Sequence, residues 1–198
     1  ESAAALAEDA VRSGLDLLEV IEQGYVPGIQ KVGELWEQGE YFLPELISSA
    51  EAMKAAMAIL DPELQRRNIG SRMGGRVVIG TVEGDIHDIG KNLVASMLQA
   101  GGFEVFDLGA DVKMERFIDK AEEVGAGMIC LSALLTTTMT NQKRLLGLLR
   151  DRGLRNKYKV LVGGAPASRK WAEDIGADGY AENAVAAVKL AKSLAGRA

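Results

Sequence analysis

The sequence predicts a small helical bundle followed by a doubly wound α/β domain, an α + α/β architecture with a five-stranded parallel sheet. Apolar residues recur at three- and four-residue spacing up to residue 60, which is typical of amphipathic helices. Beyond residue 75, short β-branched runs alternate with helical stretches, which is typical of βαβ units. The composition agrees, because 47% of the 198 residues are hydrophobic and 26% are charged, as in ordinary globular proteins.

The N-terminal part is rich in alanine, leucine, glutamate and methionine, and its apolar spacing predicts four helices near 3–13, 15–23, 26–38 and 43–60. Helices this short need one another to be stable, so we expect a four-helix bundle. The segment 61–75 contains a proline, three glycines and three arginines, a composition typical of an exposed linker. We therefore expect a helical domain at 1–65, a linker at 66–75 and an α/β domain at 76–198.

The C-terminal part predicts strands at 76–82, 104–108, 127–132, 159–163 and 178–181, with helices near 89–101, 113–124, 139–152, 168–175 and 183–195. Strands and helices that alternate in this way form a parallel sheet covered on both faces. Five strands favour a flavodoxin-like or Rossmann-like doubly wound order, in which ligands bind outside the carboxyl ends of the strands. The loops after Val82, Leu108, Ser132 and Gly163 are therefore the expected functional loops.

Charge and hydropathy exclude several classes of partner. The net charge is −5, which is the opposite of the basic footprint of a nucleic-acid binder. No apolar run approaches the roughly 20 residues of a membrane helix, so we expect no membrane partner. The single cysteine, Cys130, is expected in the core and fits a reducing compartment. We expect a cytoplasmic protein.

The loop after the first predicted strand contains the only histidine of the chain, His87, two residues after Asp85 and three before Gly90. An aspartate at this spacing can reach the histidine Nδ1 and leave Nε2 free as a metal ligand or base. A zinc site needs more ligands than one histidine and one distant cysteine supply. A serine hydrolase needs a glycine-flanked elbow, and a dinucleotide site needs G-x-G-x-x-G; both are missing from this loop. A histidine that only caps a helix or satisfies a loop carbonyl is the simplest alternative.

Three short motifs follow predicted strands in order, and together they resemble the signature of cobalamin-binding domains. They are Asp85-x-His87-x-x-Gly90, Ser132-x-Leu134 and Gly163-Gly164. Two N-terminal segments, Val32-Gly33-Glu34-Leu35-Trp36 and Tyr41-Phe42-Leu43-Pro44-Glu45, resemble the helical cap of methyl-transferring members. The resemblance covers nearly the whole chain. It is closest to the small corrinoid proteins of anaerobic methyltransferase systems, and methionine synthase carries the same pair of domains within a larger chain.

The resemblance implies a bound cobalamin or related cobamide in its base-off form, with His87 as the lower axial ligand of cobalt. Asp85 would fix the histidine tautomer, and Thr138 would continue the relay where methionine synthase-like proteins carry serine. Ser132 and Leu134 would line a slot for the displaced nucleotide tail. The implied binding residues are Gly84, Asp85, Ile86, His87, Asp88 and Gly90 in the first loop; Ser132, Leu134, Thr136, Gly163, Gly164 and Ala184 in later loops; and Glu22, Trp36 and Leu43 in the cap.

The function implied by the resemblance is that of a corrinoid carrier, which shuttles a methyl group on cobalt between a substrate-specific methyltransferase and an acceptor methyltransferase. The acceptor would be tetrahydrofolate or a thiol, and a reductive activator would be a third partner. The alternatives are a subunit of an adenosylcobalamin mutase, a cobalamin-dependent regulator and a flavodoxin-like signalling module. The helical cap favours methyl transfer over the mutase, a regulator would need an added DNA-binding domain, and a signalling module would leave His87 unexplained.

Overall fold

The computed structural model describes residues 2–66 and 74–196, which form two compact units. The first unit holds the described residues up to Arg66 together with the short segment Gln99–Gly102. The second unit holds the other residues from Gly74 onwards. Each unit has its own hydrophobic core. Every helix within the described ranges is too short or too polar to cross a bilayer.

Up to Arg66, the first unit is made of helices and the short turns between them. It consists of α1 (Ala3–Arg12), α2 (Leu17–Val20), a π-helical turn (Ile21–Tyr25), α3 (Val26–Glu37) and α4 (Leu43–Arg66). Helix α1 begins where the side chain of Ser2 accepts the N–H of Ala5, and it packs along α4 through small residues. The core of this unit contains Ala7, Ala10, Leu17, Ile21, Met53, Ala56, Met57, Leu60 and Leu64.

The prediction that the last bundle helix ends near residue 60 is wrong, because α4 continues through Pro62 to Arg66. A proline inside a helix donates no backbone hydrogen bond and crowds the carbonyl four residues before it. That residue, Ala58, is exposed, so water can solvate its carbonyl. Leu60 and Leu64 lie one turn apart on either side of the proline, and their burial holds the helix on the core. Residues 67–73 of the predicted linker lie outside the described residues.

The second unit contains five parallel strands: β1 (Arg76–Thr81), β2 (Glu104–Asp107), β3 (Met128–Ser132), β4 (Lys159–Gly163) and β5 (Gly179–Tyr180). The strand order is β2-β1-β3-β4-β5. The helices are α5 (Ile89–Ala100), α6 (Met114–Val124), α7 (Thr136–Asp151), α8 (Arg169–Ile175) and α9 (Ala184–Leu194). This is the flavodoxin-like doubly wound order, so the predicted fold class is confirmed.

Alternating side chains of the strands supply two separate cores, one on each face of the sheet. Val78 and Ile129 face α6 and α7, whereas Val77, Ile79 and Cys130 face the opposite layer, which contains α5 and α9. This period of two explains the continuous apolar runs of the sequence, because both faces of a parallel sheet are covered. Cys130 is buried, as the sequence predicted.

Candidate functional site

Three strands end side by side at the carboxyl edge of the sheet, because Thr81 pairs with Ser132 and Ser132 pairs with Gly163. The loop that follows β1, residues 82–88, contains the histidine and is called the histidine loop below. The buried Thr81 hydroxyl donates a 3.0 Å hydrogen bond to the carbonyl of His87 and so holds this loop against the strand end. The histidine is therefore fixed at the edge where doubly wound proteins bind ligands.

The carboxylate of Asp85 holds the imidazole of His87. Asp85 is fully buried, and its Oδ1 lies 2.8 Å from Nδ1 of the ring and 3.1 Å from the backbone N of His87. A carboxylate only accepts hydrogen bonds, so Nδ1 must carry the ring proton. When the ring is neutral its lone pair is therefore on Nε2, and the side chain is 48% exposed. The pair thus presents one nitrogen donor for a metal.

The second oxygen of Asp85 is held by the start of α7. Oδ2 accepts the N–H of Leu134 at 2.7 Å, the N–H of Leu135 at 3.3 Å and the hydroxyl of Thr138 at 2.7 Å. The Thr138 hydroxyl also lies 3.0 Å from the Leu135 carbonyl, but it has one proton, and the shorter contact is with the charged acceptor. The side chains of His87, Asp85 and Thr138 are therefore connected by hydrogen bonds in the predicted order.

The pKa of Asp85 results from two opposed effects. Burial raises the pKa of this carboxyl, whereas the hydrogen bonds from Thr138, Leu134 and His87 lower it. The hydrogen bonds prevail, so the pKa of Asp85 lies well below its ordinary value. Asp85 is consequently a carboxylate at neutral pH, which is the state that requires a proton on Nδ1.

Exposed apolar side chains belong to the two segments that meet at Asp85, which are residues 86–89 and the residues just before α7. Ile86 is 77% exposed and Ile89 is 86% exposed, and Leu134 and Leu135 are also exposed. A methyl group added at Gly90 would meet no protein atom within 4 Å. Large apolar groups this open to water are characteristic of a ligand-binding surface. A broad, largely apolar ligand that carries a metal fits this combination of one nitrogen donor and an apolar surround.

The two glycines after β4 have different roles. Gly164 has φ +112°, and a Cβ there would lie 1.8 Å from the carbonyl oxygen of Ala133, so the chain itself requires glycine at this position. A Cβ at Gly163 would lie 3.4 Å from the carbonyl oxygen of Ala181, which is an ordinary contact. We predicted that both glycines leave room for a ligand. For Gly164 the structure gives a different reason, the close approach of its own backbone.

The other predicted residues of the second unit occupy several positions. Gly84 has φ +81°, and the carbonyl of Asp88 accepts the N–H of Asn92 at 2.8 Å in the first turn of α5. Thr136 is exposed at the start of α7. Ala184 is buried at the start of α9, behind the N-cap residue Asn183.

The three predicted cap residues belong to the first unit. Glu22 lies in the π-helical turn, and its side chain is outside the described residues. Trp36 is half-buried on α3, and Leu43 is exposed at the first position of α4.

Sequence reasoning missed several residues that fix the histidine loop. The amide of Asn141 donates to the Glu83 carbonyl at 2.8 Å, and Arg144 pairs with the Glu83 carboxylate at 3.1 Å. Outside this loop, the buried amine of Lys91 lies 2.5 Å from Oδ2 of Asp107 and ties the start of α5 to the end of β2. A lysine in the first turn of a helix opposes the helix dipole, and this was the available signal that Lys91 needs an acidic partner.

These features define a class: a doubly wound domain that presents one histidine nitrogen among apolar groups at the carboxyl edge of its sheet. Residues 75–189 match the profile of a B12 binding domain, and residues 1–61 match a second profile, also described as a B12 binding domain. The chain therefore belongs to the family of B12-binding proteins, and the resemblance stated from the sequence is confirmed.

Similar proteins extend over most of the chain. A corrinoid protein of Desulfitobacterium hafniense is 52% identical over 195 residues, covering 98% of this chain and 90% of that protein. Trimethylamine corrinoid protein 1 of Methanosarcina acetivorans is 47% identical over 194 residues, with 98% and 90% covered. The dimethylamine corrinoid protein of Methanosarcina barkeri is 50% identical over 186 residues, with 94% and 87% covered.

Two solved structures show the same architecture. A chain of the methanol:cobalamin methyltransferase complex MtaBC of Methanosarcina barkeri has a TM-score of 0.81 and 30% identity, and the match covers 96% of this chain and 71% of that one. The monomethylamine corrinoid protein of the same organism has a TM-score of 0.59 and 41% identity, with 96% and 89% covered.

Proposed function

We propose that this chain is a corrinoid carrier that passes a methyl group from a substrate-specific methyltransferase to an acceptor methyltransferase. The observation that carries the proposal is the Asp85–His87 pair, which leaves Nε2 of the only histidine accessible among exposed apolar groups. The names of the relatives support it, because they describe corrinoid proteins for trimethylamine and dimethylamine. A methylated amine is therefore the first methyl donor to test.

In this proposal His87 is the lower axial ligand of a cobamide bound base-off. When bound, the corrinoid supplies a cobalt centre that accepts and releases a methyl group. Asp85 keeps the ring proton on Nδ1, so the lone pair on Nε2 is directed to the metal. The Thr138 hydroxyl and the backbone N–H of Leu134 hold the Asp85 carboxylate in place. Ile86 and Ile89 exclude water from the side of the ligand that faces the protein.

The displaced nucleotide tail needs a place of its own, which we assign to the ends of β3 and β4. Ser132 and Gly163 lie side by side there with small or absent side chains, and Leu134 follows in the next loop. Thr136 would donate a hydrogen bond to the corrinoid, and the backbone at Ala184 would contact its periphery. Gly164 would contribute through the turn that only glycine allows.

The helical unit is proposed as the cap of the upper face. Leu43 is exposed at the start of α4, beside the exposed Phe42, and these apolar groups suit a methyl-bearing face. Trp36 and Glu22 would complete this cap. We expect Trp36→Ala protein loaded with methylcobalamin to lose methyl faster than wild type under illumination, at unchanged affinity. Equal photolysis rates would remove Trp36 from the cap.

The decisive experiment uses the single histidine. Protein labelled with nitrogen-15 only in histidine carries the label in His87, and it is loaded with cobalamin and reduced to the cobalt(II) state. In the electron paramagnetic resonance spectrum, an axial nitrogen-15 nucleus splits each line into a doublet, whereas a nitrogen-14 nucleus gives a triplet. We expect the doublet. A triplet in the labelled protein would show that the ligand's own base occupies the axial position, which contradicts the proposal.

The proposed partners are the two methyltransferases and a reductive activator that returns oxidised cobalt to its active state, with a cytoplasmic location. Loaded chain, reduced to the cobalt(I) state with a chemical reductant, is incubated with a methylamine methyltransferase and methylamine labelled in its methyl group, and transfer of the labelled methyl to the bound corrinoid, with release of ammonia, is measured. A chain that retains only adenosylcobalamin and receives no methyl group would support the mutase alternative instead. Specific retention of a promoter DNA fragment would support the regulator.

A further inference from the structure

Asp111 has an unusual backbone conformation. Among residues 2–66 and 74–196 it is the one residue other than glycine with positive φ, at +54°. This left-handed conformation is costly for residues with a side chain, and aspartate and asparagine tolerate it best. Asp111 lies between β2 and α6, in residues 108–113, which we call the clamp loop. A strained residue of this kind is kept where the surrounding bonds require it.

Asp111 makes two hydrogen bonds to the histidine loop, one on each side of the peptide unit that joins Gly84 to Asp85. Its Oδ1 accepts the N–H of Gly84 at 2.7 Å, and its own N–H donates to the carbonyl of Asp85 at 2.9 Å. The left-handed turn allows both contacts from a single residue. The backbone around Asp85 is thereby fixed at two points, the nitrogen of the preceding residue, Gly84, and the carbonyl of Asp85 itself.

The clamp loop is itself tied to the end of β1. The N–H of Thr81 donates to the Gly109 carbonyl at 2.9 Å, and the N–H of Val112 donates to the Thr81 carbonyl at 3.0 Å. Val112, the residue after Asp111, also forms a parallel β-bridge with Val82. The sheet therefore fixes the position of Asp111, and the hydrogen bonds of Asp111 in turn fix the position of the histidine loop.

We infer that Asp111 is a positioning residue for the Asp85–His87 pair, which deepens the proposed function and rests on it. The 2.8 Å contact between Oδ1 of Asp85 and Nδ1 of His87 joins residues only two apart, so its length depends on the backbone of residues 84–87. Without the clamp, the buried carboxylate keeps its bonds to α7 but loses its fixed approach to the ring.

Three variants separate the carboxylate from the backbone conformation. Asp111→Gly keeps the positive φ without steric strain and removes the acceptor. Asp111→Asn keeps an acceptor oxygen and tolerates the same φ. Asp111→Ala removes the acceptor and strains the turn. The full-length apoprotein, labelled with nitrogen-15 in histidine, gives ring signals from His87 alone, and cobalamin affinity is measured by titration of each variant.

We expect Asp111→Gly to weaken cobalamin binding by about tenfold or more, in the range found for outer-shell partners of metal ligands. The ring signals of His87 should move in that apoprotein, and Asp111→Asn should restore both affinity and signals. Wild-type affinity in Asp111→Gly, or weaker binding with unmoved ring signals, overturns the inference. If the wild type itself binds no cobalamin, the proposed function fails, while the ring signals of the apoproteins still decide the role of Asp111.

Discussion

The indole N–H of Trp171 donates to the side-chain oxygen of Gln142 at 2.9 Å, which completes the hydrogen bonding of a fully buried amide. The other end of this amide donates to the carbonyls of Leu131 at 3.1 Å and Gly163 at 3.0 Å. Gln142 therefore connects α7 with α8 and with the ends of β3 and β4. One polar side chain ties together the half of the sheet where the nucleotide tail is proposed to lie.

Replacing Gln142 by leucine should destabilise the protein. The change leaves the indole N–H of Trp171 without its acceptor and removes the amide donor from the carbonyls of Leu131 and Gly163, so we expect the free energy of unfolding to fall by about 2 kcal/mol. Urea unfolding followed by fluorescence in a Trp36→Phe background measures this, and the emission of Trp171 should shift. Lys143→Ala, on the exposed neighbouring position, should change stability by less than about 0.5 kcal/mol. Equal stability of the Gln142 variant would contradict the role given to this amide.

Asp85→Asn should disturb the site although the side chain keeps its size. An amide offers one acceptor oxygen, so its NH2 group must face donors that now point at the carboxylate. We expect a loss of about 1–3 kcal/mol in the free energy of unfolding and weaker cobalamin binding. Asp151→Asn removes the same charge at the exposed end of α7 and serves as the control. Comparable stability of the two variants would show that Asp85 is not held as described.

Gly164→Ala and Gly90→Ala should have opposite effects on stability. The first places a Cβ 1.8 Å from a carbonyl oxygen at φ +112°, and we expect a loss of about 3 kcal/mol or more. The second adds a methyl group in open space within α5, where alanine favours the helix by up to about 1 kcal/mol. Thermal unfolding and cobalamin titration test both. A stabilised Gly90→Ala protein that binds cobalamin more weakly marks Gly90 as facing the ligand, whereas unchanged binding removes it from the site.

Stability should fall at alkaline pH because of Cys130. Burial raises the pKa of the Cys130 thiol to about 12, so the folded protein keeps this proton while the unfolded thiol ionises near pH 8.5. Above that pH the folded state binds more protons, and its stability falls by up to about 1.4 kcal/mol per pH unit. Unfolding curves between pH 8 and 10 measure the slope. Cys130→Val should have a shallower slope, and identical slopes would refute this source of the pH dependence.

The loops of the site were predictable where the relevant contacts are local in sequence. Asp85 and His87 are two residues apart after a β-branched run, so their pairing and their place at the strand end follow from the pattern. The hydrogen bonds that Leu134 and Leu135 donate to Asp85 come from backbone N–H groups, so the identity of these residues does not predict them. Asp111 lies in a loop and Gln142 lies in a polar stretch, and in neither place does sequence periodicity distinguish a structural side chain from a solvated one.

Helix ends were the weakest predictions, and the reasons lie in tertiary contacts. Helix α7 begins at Thr136, earlier than the expected 139, because Asp85 binds the N–H of Leu134 before the helix and the Thr138 hydroxyl in its first turn, which holds a threonine run of low helix propensity. Helix α4 extends past Pro62 because buried leucines on both sides keep it on the core. Helix propensity depends on the local sequence alone, so it includes neither the bonds to Asp85 nor the burial of these leucines.

The two oxygens of Asp85 serve different elements, Oδ1 the histidine loop and Oδ2 the start of α7. The buried carboxylate thus connects the exposed imidazole of His87 to a helix of 16 residues, which is about 24 Å long. A displacement of the imidazole either carries the first turn of α7 with it or frees the N–H groups of Leu134 and Leu135. Hydrogen exchange at these two amides would therefore report a displacement of His87 through the start of α7.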